Sequence, residues 1–138
     1  MDNLNNWFPG IKHVRTENSH KISPLVEQEW IDVDDAIESM DDSSDNKELD
    51  ILVEVVKKSL EERKSKSILI FAETKRSIDR ICDALRHAEI KSLPYYPDIA
   101  VQGRAMTLML FQSQQLPVMV CNNLAARGLD TMEVQHVI

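Results

Sequence analysis

The chain has 138 residues, 43% of them hydrophobic and 28% charged, with a formal net charge of −7. That length suits one domain around a single core, and no run of about 18 or more apolar residues offers a membrane span. The acidity is local: residues 27–54 hold twelve acids and one base, Lys47, a charge of −11 that leaves +4 for the remainder. An acidic whole argues against nucleic acid, whereas a basic body carrying an acidic insertion argues against it less strongly.

Residues 1–20 show no period and lack signal-peptide and transit-peptide patterns, and are expected to form an extended lead-in or linker. Residues 21–33 (KISPLVEQEWIDV) alternate imperfectly from Val26 onward and are bounded by Pro24, which suggests an edge strand. Residues 34–46 are acidic and Ser-rich, the composition of a solvated loop. A helix is expected from Asp45 or Asn46 to about Arg63, because Leu49, Leu52, Val53, Val56 and Leu60 fall on one helical stripe.

Residues 67–72 (SILIFA) form a continuous apolar run, as expected of a parallel strand buried on both faces. A second helix follows to about His87, capped by Thr74, with Ile78, Ile81, Cys82 and Leu85 as its buried stripe. A short strand at 91–95 ends in the loop Tyr95-Tyr96-Pro97-Asp98. A third helix at 101–112 carries Met106, Leu108, Met109, Leu110 and Phe111, read as core packing. Residues 118–121 (VMVC) are a further buried strand, a short helix follows, and 134–138 begin another strand.

Strands and helices in alternation imply an α/β fold, a doubly wound parallel sheet. Its strand ends at residues 73–76, 95–98 and 121–124 then lie on one edge, where ligands bind in such sheets. Lys75 and Arg76 open a helix, where positive charge opposes the helix dipole. Residues placed so suit a bound anion. Cys82 and Cys121 fall on apolar faces and are expected to be buried and reduced, which points to an intracellular, reducing compartment. His13, His20, His87 and His136 lack ligand spacing, so no metal site is expected.

Two stretches carry a family resemblance. ILIFAETK resembles the motif that opens the second RecA-like domain of DEAD-box RNA helicases. AARGLD, following VMVCNN, resembles that domain's motif V, with Arg104 between them. The resemblance spans about residues 26–138 and implies a RecA-like (P-loop NTPase-like) helicase C-terminal domain at 21–138, incomplete at its C-terminus.

The resemblance also implies site residues. Thr74, Lys75, Arg76, Arg104, Asn122 and Asn123 would face the RNA sugar–phosphate backbone. Gly128 and Asp130 would approach the nucleotide, and Arg127 would brace the motif V loop. Implied partners are single-stranded or locally duplex RNA, an N-terminal RecA-like domain and ribonucleoprotein partners. ATP and Mg2+ would be bound mainly by that N-terminal domain.

The sequence departs from the family pattern at several places. Tyr96-Pro97-Asp98 stands where the family has His-Gly-Asp, Val101 replaces the Gln of QxxR, and Asn122-Asn123 replaces Thr-Asp. The sequence contains no GxxxxGK[ST] and no Asp-Glu-Ala-Asp, and stops before the family's HRIGRTGR segment. Phosphoryl transfer needs those parts together, so this chain alone is expected to have no catalytic residue and not to hydrolyse ATP. The alternative is a degenerate, non-catalytic RNA or protein docking module in a ribonucleoprotein assembly.

Overall fold

The computed structural model describes residues 22–34, 46–61, 66–123 and 134–138. Met1–Ile31 forms one unit and Asp32–Ile138 the other. Within the first, residues 22–31 form no strand and are exposed, which corrects the edge strand expected at 21–33. The Val26 amide donates to the Ser23 carbonyl at 3.0 Å, closing a turn over Pro24 and Leu25. The turn precedes the alternating residues, and residues 26–31 pair with no described strand. The sheet's two edges are held by other strands.

The second unit contains α1 (Lys47–Glu61), β1 (Ile68–Phe71), α2 (Lys75–His87), β2 (Ser92–Tyr95), α3 (Val101–Gln112), β3 (Val118–Cys121) and β4 (His136–Val137). The sheet runs β2-β3-β1-β4, and every pairing is parallel. β3 is central, and Val118, Met119, Val120 and Cys121 have no exposed surface. A strand covered on both faces has no need of alternation, so VMVC and ILIF read as unbroken apolar runs.

Strand periodicity divides these side chains between two cores. Ile68, Ile70, Val118 and Val120 meet Val56 of α1 and Ile78, Ile81, Cys82 and Leu85 of α2. Leu69, Met119 and Cys121 point the other way and meet Phe111 of α3 and Leu116. The chain thus passes from β1 to β2 through α2 on one face and returns to β3 through α3 on the other. That is the doubly wound arrangement, and each fully buried aliphatic side chain stabilises it by about 1.5–3 kcal/mol.

Helix boundaries have local causes. Thr74 is extended (φ −114°, ψ 153°) and accepts a hydrogen bond from the Ser77 amide, the geometry of an N-cap. The Glu89 amide donates to the Arg86 carbonyl (3.0 Å) and the Ile90 amide to the Leu85 carbonyl (2.9 Å). With Glu89 at φ 61°, α2 therefore ends in a Schellman motif. Gln114 (φ 58°) ends α3 the same way, its amide donating to Phe111 and that of Gln115 to Leu110.

The methionines of α3 correct a second expectation. Met106 and Met109 are 53% and 55% exposed, and only Thr107 and Phe111 of this helix are buried. Cys82 and Cys121 are free thiols, and they lie in different cores. The lead-in at 1–20, residues 35–45 of the acidic loop and the short helix expected between β3 and β4 lie outside the described residues.

Candidate nucleic-acid interface

Parallel register places three strand ends side by side. Phe71 of β1 is level with Cys121 of β3, and Cys121 is level with Tyr95 of β2. The Ala72 amide donates to the Cys121 carbonyl at 2.9 Å, carrying the alignment one residue past the strands. The turns after β1, β2 and β3 consequently leave the sheet along one edge. They bring Thr74, Lys75 and Arg76, then the 96–100 turn with Arg104 behind it, then Asn122 and Asn123.

Two helices begin on this ledge, and neither has an acid in its first turn. A helix start presents unsatisfied amides and the positive end of its dipole. Lys75 and Arg76 add cationic charge to the start of α2, and Arg104 lies in the first turn of α3. Amides, dipole and cations of this kind form the usual environment for a phosphate.

Thr74, Lys75, Arg76 and Asn123 are exposed, and Arg104 and Asn122 are half-buried. The Thr74 hydroxyl oxygen accepts from the Ser77 amide at 3.1 Å and shares a hydrogen bond with the Ser77 hydroxyl at 2.9 Å. The Arg76 side chain has no hydrogen bond or ion pair among the described residues. Arg127, Gly128 and Asp130 lie outside the described residues.

Two of the expected RNA contacts are engaged within the ledge. The Arg104 guanidinium donates to the Pro97 carbonyl at 2.7 Å. Lys75 Nζ lies 3.8 Å from Asp98 Oδ2 and 5.3 Å from the centre of the Tyr96 ring. The Tyr96 hydroxyl donates to Asp79 Oδ1 at 3.3 Å, and the Ile99 amide donates to the Tyr96 carbonyl at 3.2 Å. Burial pushes the Tyr96 phenol above its ordinary value, and the Asp79 carboxylate adds to the shift. Tyr96, Asp79 and Asp98 were missing from the expected site. Their one sequence signal is that Tyr96-Pro97-Asp98 departs from the family's His-Gly-Asp.

Among the described residues, no group of three or more His, Cys, Asp or Glu could hold a metal ion. Both thiols are raised by burial to about 11, too high for a nucleophilic thiolate at neutral pH.

The parallel sheet, with helices on both faces and three strand-end turns along one edge, has the α/β architecture of RecA-like helicase domains. The family model described as helicase conserved C-terminal domain matches residues 47–138. The chain belongs to that family and is a C-terminal RecA-like domain of the DEAD-box RNA helicase type. DEAD-box ATP-dependent RNA helicase 39 of Arabidopsis thaliana is 29% identical over 133 residues, 95% of this chain and 20% of that protein. ATP-dependent RNA helicase dbp2 of Aspergillus clavatus is 35% identical over 95 residues, 69% of this chain and 17% of its own length. Among solved structures, domain 2 of the DEAD-box helicase Mss116p, bound to an RNA duplex, is 27% identical with a TM-score of 0.56. That match covers 64% of this chain and 36% of that one. The chain spans about a fifth of the length of the curated relatives it matches.

Proposed function

We propose that this chain is the C-terminal RecA-like part of an ATP-dependent RNA helicase. Its strand-end ledge holds the sugar–phosphate backbone of single-stranded or locally duplex RNA, and it completes an ATP site facing an N-terminal RecA-like domain. The observation that carries this reading is the alignment of three turns on one sheet edge, with two acid-free helix starts, Lys75, Arg76 and Arg104 among them. The RNA duplex bound by domain 2 of Mss116p supports it. The curated relatives named as ATP-dependent RNA helicases support the ATP dependence. The comparisons do not favour the docking-module alternative.

In this reading each residue has a definite task. The free amides of the α2 start and the cations Lys75 and Arg76 take one phosphate, and Arg104 takes a neighbouring one. Asn122 and Asn123 offer side-chain amides to the same strand. Such contacts fix the path of the backbone and carry little sequence information, while the 2′-hydroxyl distinguishes RNA from DNA. Gly128 and Asp130 would approach ATP, with Arg127 bracing their loop. ATP and Mg2+ would be held mainly by the N-terminal RecA-like domain. The buried free thiols suit a reducing, intracellular compartment.

Fluorescence anisotropy with a labelled single-stranded RNA of mixed sequence tests the reading. Affinity should fall as salt rises, and Arg104→Ala should weaken binding and flatten the salt slope by about one. Absence of binding at low salt, or an Arg104→Ala variant that binds as the wild type does, would count against it.

A further inference from the structure

Lys75 is held in two ways that differ in strength. One contact is with the face of Tyr96, a buried ring whose hydroxyl is tied to Asp79 at 3.3 Å. The ring is a fixed surface, and a cation above it is attracted by the negative face of its π-system. The other contact is with the Asp98 carboxylate at 3.8 Å, between side chains that are 56% and 72% exposed. An ion pair so open to water is weak, because screening and side-chain entropy offset most of the Coulomb attraction. Asp98 sits on a turn pinned on either side of it. Arg104 donates to the Pro97 carbonyl before it, and the Ile99 amide donates to the Tyr96 carbonyl across it. The backbone of Asp98 is therefore held beside Lys75, and its exposed carboxylate reaches the ammonium from that turn.

We propose that Asp98 is a built-in counter-anion for Lys75, which an incoming RNA phosphate displaces when it binds the ledge. The inference rests on the RNA reading above and adds a regulator to that site. A phosphate oxygen and a carboxylate oxygen present the same chemistry to an ammonium group. The exchange keeps Lys75 paired throughout, and the Tyr96 ring keeps the ammonium at the ledge while its anion changes. The cost is that Asp98, left facing the phosphate, opposes binding. Asp98 therefore lowers the affinity of the wild-type ledge and favours contacts strong enough to displace it.

The effect must be separated from the general gain that removing any acid gives to anion binding. Only the part acting through Lys75 is specific, and a double-mutant cycle isolates it. Wild type, Asp98→Asn, Lys75→Ala and the double variant are titrated with the same single-stranded RNA, with thermal melts confirming that all four fold. Asp98→Asn should bind about two- to fivefold more tightly than wild type, and the gain should be clearly smaller in the Lys75→Ala background, where only the general effect of removing an acid is left. An Asp98→Asn variant no tighter than wild type, or a gain equally large with and without Lys75, overturns the inference and leaves the RNA reading standing. No binding by any of the four overturns the RNA reading and this inference with it.

Discussion

Thr74 Oγ1 lies 3.1 Å from the Ser77 backbone nitrogen and accepts its hydrogen, so this threonine caps α2 at the ledge where RNA contact is proposed. Removing the hydroxyl in Thr74→Ala should cost about 1 kcal/mol of stability, read as a lower urea midpoint, and should weaken RNA binding. Thr74→Asp separates the two roles. Aspartate caps a helix as well as threonine, so stability should hold, while a negative charge on the ledge should reduce RNA affinity severalfold. Equal affinity for Thr74→Asp and wild type would remove Thr74 from the interface.

The helix ends make a second prediction. Glu89 and Gln114 occupy the left-handed position of their Schellman motifs, at φ 61° and 58°. Side chains bearing a Cβ are strained there, and glycine is not. Glu89→Gly and Gln114→Gly should each raise stability by about 1 kcal/mol despite the added freedom of the unfolded chain. Differential scanning calorimetry should record a higher Tm for both. A lower Tm would mean that these side chains make contacts worth more than the strain they impose.

Alkaline pH should destabilise the fold through its thiols. Burial raises Cys121 from 9.0 to about 11 and, although a Ser92 hydrogen bond opposes it, raises Cys82 from 9.0 to about 11. In the unfolded chain they lose protons near pH 9, while in the folded chain they keep them to about pH 11. Their contribution is therefore fully present below pH 9 and is lost as pH climbs towards 11, by about 3 kcal/mol per thiol. The raised Tyr96 phenol acts in the same direction. The urea midpoint should fall between pH 9 and 10.5, and more shallowly in a Cys82→Ala, Cys121→Ala variant. Identical slopes would exclude the thiols as its source.

A fourth prediction concerns the side of the sheet away from β2. Ser59 of α1, 1% exposed, is hydrogen-bonded through its hydroxyl to Nδ1 of His136 in β4 at 2.6 Å. β4 is two residues long and pairs with β1 on one side, through bonds that include Ile138 N–H to the Leu69 carbonyl and Phe71 N–H to the Ile138 carbonyl, and the Ser59 bond adds a tie to α1 from outside that ladder. Ser59→Ala should cost about 1 kcal/mol, with hydrogen exchange accelerated at Val137 and Ile138 before the rest of the sheet. Unchanged exchange there would show that the β1 ladder suffices.

Much of this architecture is legible in the amino-acid order. ILIF and VMVC announce buried strands because both faces are covered, and Thr74 with the Ile78, Ile81, Cys82, Leu85 stripe announces α2. The parallel order then forces three turns onto one edge. The α3 bounds are equally plain, but its buried face is not. Apolar residues at 106 and 108–111 leave no period to select a side, and Met106 and Met109 prove largely exposed. The alternation at 26–33 misleads because a strand needs a paired neighbour as well as a pattern, and these residues pair with no described strand. Within the site, nothing in the spacing of Lys75 from Asp98, or of Arg104 from Pro97, reveals that each pair meets. Those contacts arise only when α2, α3 and the turn after β2 converge on the ledge.

The central claim is that this ledge receives the RNA backbone, and amide chemical-shift mapping tests it most directly. On titrating the isotopically labelled chain with a short single-stranded RNA, shifts should concentrate at residues 72–76, 96–104 and 121–123 and should fade as salt is added. Shifts confined to the opposite edge of the sheet, around residues 89–92 and 114–117, or shifts indifferent to salt, would contradict it.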